Sequence, residues 1–269
     1  SGPFRDELIV GSYLTKMLFI SMFFFLTKKF NNQKLFYLIL IFTTVLLSNE
    51  RAVTIMLFFS LIIYFSFSSF MKIKTKLTIL ITFILSIFLI MNFNSSFKSH
   101  FIENTFDQIG LTQNNSNRGF HNSFWDSRWG AHYLTALEIF KTKPLLGSGL
   151  RTFRLECSNK KFEKIKSAQM SERCNTHPHN IYFEILSETG LITLILFLIL
   201  MIIFLYKFLF NLFVSKIDYE KNLLLLMFNF ILFFPIQTTG SLFSTWNGIF
   251  YWVCLAITID HFKKIENVK

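Results

Sequence analysis

The sequence predicts an all-α integral membrane protein, with about seven transmembrane helices and a large, partly helical loop between the fourth and the fifth. Three observations predict it. Apolar residues make up 52% of the 269 positions, and Phe alone accounts for 37. They sit in unbroken runs, and a run of roughly 20 apolar residues spans a hydrocarbon core as a helix. Short lysine clusters fall between alternate runs. In lipid only helices and closed barrels satisfy every backbone polar group, and barrel strands alternate apolar with polar residues. The continuous runs therefore read as helices.

The expected spans are Leu8–Leu26, Leu35–Ser48, Ala52–Phe70, Leu77–Phe93, Leu191–Val214, Leu223–Thr239 and Thr245–Ile259. The second is short but is kept because its flanks alternate correctly. Lys28, Lys29 and Lys34 separate the first two spans, and Lys72, Lys74 and Lys76 separate the third and fourth. Lys207, Lys216 and Lys221 lie at the end of the fifth span and in the loop after it, and Lys263, Lys264 and Lys269 follow the seventh. Lysine-rich connections stay cytoplasmic, so the opposite side receives residues 1–7, 48–51, 94–190 and 240–244. Three regions result: residues 1–93 with four spans, a loop domain over 94–190, and residues 191–269 with three spans and a cytoplasmic tail. The chain opens on Ser with no cleavable leader pattern, and further spans are expected upstream.

The net charge of +11 raises the question of nucleic acid. The basic residues form no face interleaved with aromatics; they cluster beside apolar runs, as membrane topology requires. No nucleic-acid partner is expected. There is also no P-loop, no Gly-x-Gly-x-x-Gly, no Gly-x-Ser-x-Gly and no Asp-x-Asp pair, which disfavours nucleotide-dependent chemistry.

The long loop carries Trp125, Trp129, Tyr133, Phe140, Phe153 and Tyr182, enough apolar bulk to pack. A helix is expected from near Ser127 to before Pro144, with Trp129, Tyr133, Ala136, Leu137 and Phe140 on one docking face. Leu146–Leu150 (LGSGL) reads as a tight glycine turn, and a charged helix is expected over Lys160–Glu172. Cys157 and Cys174 bracket that helix. In an oxidising compartment they form a disulfide, and in a reducing one they stay two free thiols. The cysteine spacing matches no metal site.

Two places carry residues suited to chemistry. Arg51, in SNERAV (Ser48–Val53), has the planar fork that binds phosphate in two-pronged fashion, or else it anchors a helix end at the membrane surface. Glu50 beside it is a ready ion-pair partner. His177 and His179 lie in the run HPHNIYFEILSETG (His177–Gly190), which leads into the fifth span. A neutral imidazole there takes a proton from a hydroxyl, or else caps the helix. Arg118, Arg128, Arg151 and Arg154 add positive charge to the same loop. Asp126, Glu138, Glu184 and Glu188 are the carboxylates available to orient His179 or neutralise an arginine.

At these residues the chain resembles the O-antigen ligase and polymerase superfamily of bacterial polysaccharide membrane proteins. Four stretches carry the likeness. FRDELIVGSYL (Phe4–Leu14) looks like the opening of a central helix. SNERAV looks like a Ser-x-x-Arg turn, with Asn49 where Gly is usual. WDSRWGAHYLTALEIFKTKPLLGSGLRTF (Trp125–Phe153) and HPHNIYFEILSETGLITLILF (His177–Phe197) look like the Arg-helix-Gly-x-Gly segment and the His-Asn signature. The likeness runs from Ser1 to about Ile259 and corresponds to the family's carboxy-terminal part.

The resemblance implies a glycosyltransferase in the bacterial cytoplasmic (inner) membrane, multi-pass, with its site facing the periplasm. It would take an undecaprenyl-diphosphate-linked glycan as donor and a glycolipid or growing glycan as acceptor, without metal, nucleotide or other cofactor. Carried over by position, Arg51, Arg128 and Arg151 would bind the donor pyrophosphate and His179 would activate the acceptor hydroxyl. Asn180 and His177 would support that turn. The competing reading from another class is a secondary transporter or flippase of lipid-linked sugars, which internal repeats and charged, broken spans would favour.

Overall fold

The computed structural model describes residues 10–25, 32–93, 95–103, 105–106, 124–162, 171, 173–235 and 240–267. Among them every regular element is helical. The main helices are α1 (Val10–Phe25), α2 (Asn32–Leu47), α3 (Arg51–Phe67), α4 (Ile73–Phe93), α5 (Arg128–Thr142), α6 (Ile181–Phe210), α7 (Tyr219–Phe233) and α8 (Thr245–Glu266). The expected charged helix lies mostly outside the described residues, and its start is a single 3-10 turn at Lys160–Phe162. Arg118 and most of Phe4–Leu14 lie outside them as well.

Among the described residues, two stretches are long and apolar enough to cross a membrane, Ile73–Asn92 in α4 and Ile181–Ser215, which contains α6. Only 11% of each apolar window is buried. A core helix of a water-soluble protein hides such residues; here Ile81, Phe88, Leu196 and Ile202 all stand exposed. Exposed apolar surface on that scale is suited to lipid. Three shorter apolar helices cover Val10–Phe24, Phe36–Leu47 and Arg51–Phe67.

The chain forms two compact units. The first comprises Ser1–Phe101, Leu205–Leu232 and Cys254–Lys269. Its core is aromatic: Phe42 stacks on Phe83 at 4.1 Å, and Phe208 lies against Phe262 at 4.8 Å. Several buried polar groups are matched, as burial demands. Asn229 donates to Thr258 Oγ1 at 2.9 Å, and Glu220 accepts from the hydroxyls of Tyr64, Ser68 and Ser69.

The second unit comprises Ile102–Phe204 and Phe233–Val253. Ser127 caps α5 through its hydroxyl, which accepts from the Gly130 amide at 3.2 Å. Gly130 is required there, because a Cβ would meet Trp125 backbone atoms at 2.4–2.5 Å. The buried face of α5 is Ala131, His132, Tyr133, Thr135, Ala136 and Ile139. Of the expected stripe, Tyr133 and Ala136 lie on this buried face, and Trp129, Leu137 and Phe140 are half-buried. Small and polar residues win the inner face because the helix packs closely in a loop domain, where fit outranks hydrophobicity. Ala136 and Ile139 join Phe153, Cys157 and Phe162 in one cluster, with Phe183 against it.

Candidate functional site

The site is built where the loop enters α6. Asn180 is the N-cap of that helix: its Oδ1 accepts from the amides of Tyr182 at 2.9 Å and Phe183 at 3.3 Å. These satisfy two of the donors that a helix start leaves open. Its Nδ2 donates to the Pro235 carbonyl at 2.8 Å, and Tyr182 Oη donates to the Phe233 carbonyl at 2.5 Å. The first turns of α6 are thus held from two sides.

The stretch from Glu184 to Gly190 is locked by two carboxylates and three glycines. Glu184, fully buried, accepts from the Ser241 hydroxyl and from the Leu242 amide at 2.7 Å. Glu188, also buried, accepts from the amides of Arg151 at 2.6 Å and Phe153 at 3.0 Å. The glycine turn lies against this segment. Ser148 and Gly149 donate to the carbonyls of Ser187 and Glu188 at 3.0 and 2.8 Å, and Leu191 donates to Pro144 at 2.9 Å. A Cβ on Gly147 would sit 2.3 Å from the Glu188 carbonyl carbon, and one on Gly190 2.2 Å from the Leu145 oxygen. Gly190 also takes φ +81°, so α6 breaks there. The LGSGL turn and the Glu188-Thr189-Gly190 motif are two halves of one backbone clasp.

His179 directly precedes the cap. Its φ is +58°, a left-handed conformation uncommon outside glycine. The turn aims the ring into a cluster of aromatic and basic groups. The His177 ring lies 4.3 Å away, Trp129 5.0 Å away edge-on, and His132 5.3 Å away, each measured between ring centroids. Nε2 of His179 is shut off from solvent and has no hydrogen-bond partner among the described residues. Burial, then the neighbouring charges of His177, His132 and Arg128, pushes the imidazole down to about 3. The ring stays neutral at ordinary pH, with a lone pair available.

Of the predicted site residues, the structure brings His177, His179, Asn180 and Arg128 together. Arg128 is the first residue of α5, exposed, and its charge reaches His179. Arg151 is placed elsewhere, at φ +59°, with its backbone and its charge on Glu188. Glu188 therefore neutralises an arginine; Glu138 pairs with Lys141 at 2.5 Å on the surface. Cys157 and Cys174 are joined as a disulfide, with Cα atoms 5.2 Å apart. His132 and Trp129 were missed as site members. The signal was present, because His132 follows Arg128 by four residues and so shares its side of a helix.

Arg51 belongs to the first unit, as the first residue of α3, and is half-buried. Glu50 does not serve as its ion pair as expected. Its carboxylate instead accepts from the amides of Gly11 and of Ser12, the latter at 3.0 Å, and so caps the start of α1. A helix N-terminus offers unpaired amides and a positive dipole end, which together bind a carboxylate. Burial lifts the Glu50 carboxyl to about 7, against the pull of those amides and of the Lys16 charge. Asn49 before it takes φ +64°. That conformation accounts for Asn at a position where the resemblance leads one to expect Gly, since both residues tolerate it.

Among the described residues, fold and site together define a helical protein with two helices long and apolar enough to cross a membrane, and an arginine–histidine cluster at the start of one of them. The profile of the O-antigen ligase family matches residues 36–198, more than half of the chain and a stretch that includes Arg51, α5 and the His-Asn turn. The chain belongs to the O-antigen ligase family. Searches of curated proteins and of solved structures found no match. Membership makes it a membrane protein of bacterial polysaccharide biosynthesis, of the ligase and polymerase type of glycosyltransferase.

Proposed function

We propose that the chain transfers a glycan from an undecaprenyl-diphosphate carrier to an acceptor hydroxyl on the periplasmic face of the inner membrane, with His179 as general base. The observation that carries this reading is the His179 ring: neutral, set by a left-handed turn, and reached by the Arg128 charge. As the glycosidic bond breaks, negative charge grows on the diphosphate oxygens. A fixed guanidinium stabilises that charge more in the transition state than in the ground state. Meanwhile the acceptor hydroxyl loses its proton to the imidazole as it attacks C1.

Arg128 is the arginine whose charge reaches His179. Arg51 and Arg151 are further pyrophosphate-binding residues on the family resemblance, and Asn180 and His177 support the turn. The seven-span topology with residues 94–190 outside fits this chemistry, because it leaves the polyprenyl tail in lipid and the sugars in water. The ligase and polymerase forms of the reaction share all these steps.

The test is transfer by the full chain, purified into lipid nanodiscs, with an undecaprenyl-diphosphate-linked glycan and a glycolipid acceptor. His179→Ala and Arg128→Ala should each remove most of the product. Turnover retained in both would overturn the assignment.

A further inference from the structure

We propose that His132 is a positioning residue that sets the tautomer of His179, and that the disulfide-bonded segment holds His132 to that task. The inference rests on the transfer reading of His179 given above and names a residue that reading does not use. His132 lies on the buried face of α5, and its Nδ1 is 3.0 Å from the Arg173 carbonyl oxygen. A carbonyl oxygen carries no hydrogen, so Nδ1 of a neutral ring must supply it. The lone pair of His132 then falls on Nε2.

The carbonyl that fixes this choice is itself fixed. Arg173 Nε donates to the Cys157 carbonyl at 3.0 Å, and the next residue, Cys174, is bridged to Cys157. His132 is therefore held from the helix on one side and from a disulfide-tethered segment on the other.

Around His179 stand His132, His177, Trp129 and Arg128. An indole and a guanidinium only donate hydrogen bonds, so neither accepts the N–H of His179. His177 is half-buried and its Nδ1 exchanges a hydrogen bond with the Thr176 hydroxyl at 2.9 Å, where either partner donates. That leaves His132 as the imidazole whose acceptor nitrogen is dictated by its surroundings. Two imidazoles in an N–H···N bond of ordinary length have centroids about 5 Å apart. The observed separation is 5.3 Å, which a small ring rotation converts into such a bond.

In the working site, the buried Nε2 of His179 donates to His132 Nε2, and Nδ1 keeps its lone pair for the acceptor hydroxyl. During transfer the hydroxyl O–H bond breaks and its proton joins His179. The oxygen bonds C1, and the bond from C1 to the diphosphate oxygen breaks with its electron pair leaving on the diphosphate. The imidazolium so formed is steadied by His132, which stays neutral throughout.

The deciding experiment uses the full chain in nanodiscs with 15N-labelled histidine, comparing wild type with His132→Asn. The asparagine amide replaces the donor to Arg173 but leaves nothing in place of Nε2. In wild type, NMR should show His132 protonated at Nδ1 and His179 in one tautomer. In His132→Asn, His179 should become a tautomer mixture, and kcat should fall roughly tenfold with donor KM unchanged. A wild-type His132 protonated at Nε2 overturns the inference, whether or not the variant folds. So does a variant whose His179 tautomer and kcat match wild type. A tautomer change in a protein that transfers no glycan supports the coupling and overturns the transfer reading instead.

Discussion

Two turns of this molecule are built alike and used differently. In the first unit, Asn49 takes a left-handed conformation and is followed by Glu50, whose side chain caps a helix. In the second, His179 takes the same conformation and is followed by Asn180, whose side chain also caps a helix. In each the left-handed residue reverses the chain so that the next side chain meets open helix amides. The first turn uses a residue that does nothing else at that place, and its cap reaches a different helix, α1. The second places a titratable ring there, and its cap serves the helix that begins at that point, α6. Backbone geometry alone therefore does not mark a functional turn. The mark is a left-handed residue whose side chain can carry a proton; a buried atom without a partner is common to both turns, at Asn49 Oδ1 and His179 Nε2.

The sharpest way to break the comparison is to put glycine in both turns. Glycine adopts the left-handed conformation without strain, so both variants keep the backbone. Transfer should fall roughly 10²- to 10⁴-fold in His179→Gly, the range expected for loss of a general base, and stay at wild-type rate in Asn49→Gly. Equal effects in the two assays would erase the distinction drawn between the turns.

Next in size is Glu188→Ala. Its carboxylate satisfies the amides of Arg151 and Phe153, and each orphaned buried donor costs about 1–3 kcal/mol. The variant should melt well below wild type and lose transfer with its clasp, whereas Glu50→Ala frees the start of α1 alone and should melt higher than it. Thermal unfolding in nanodiscs ranks the two, and the reverse order would show that the first unit depends more on its cap.

The smallest effect is with acid. The folded His179 sits near 3, below the ordinary value of 6.5, so the unfolded chain takes up the proton first. Its contribution to stability is present above 6.5 and is lost as pH falls from there towards 3. Between pH 8 and 5 the ring stays neutral, so transfer should show no acid limb from His179 in that window. Melting curves of wild type should decline more steeply on acidification than those of His179→Gly. Parallel curves would mean that the ring is not held neutral by its surroundings.

Much of this was legible in the sequence. Runs such as Leu77–Phe93 are apolar over lengths that only lipid rewards, and α4 and α6 follow from that alone. The α5 boundaries were readable too, because Ser127 is a capping residue and Pro144 cannot continue a helix. The face of α5 was not. Its hydrophobic stripe predicted one docking face holding Trp129 and Phe140, but did not foretell that Ala131, His132 and Thr135 are buried. Glu50 was read as a partner of adjacent Arg51, since sequence shows neighbours along the chain and not the open amides of α1.

What the sequence determined by itself was class and chemistry: helices because the apolar runs are unbroken, and arginine and histidine as the groups able to meet a diphosphate and a hydroxyl. What only tertiary structure decided was company. It set His132 beside His179, turned Glu188 to the Arg151 and Phe153 amides, and folded the glycine turn onto Gly190. Residue type sets what a group can do, through its charge, protons and shape. Which of those capacities is used depends on the groups within a few ångströms of it, and those arrive from distant parts of the chain.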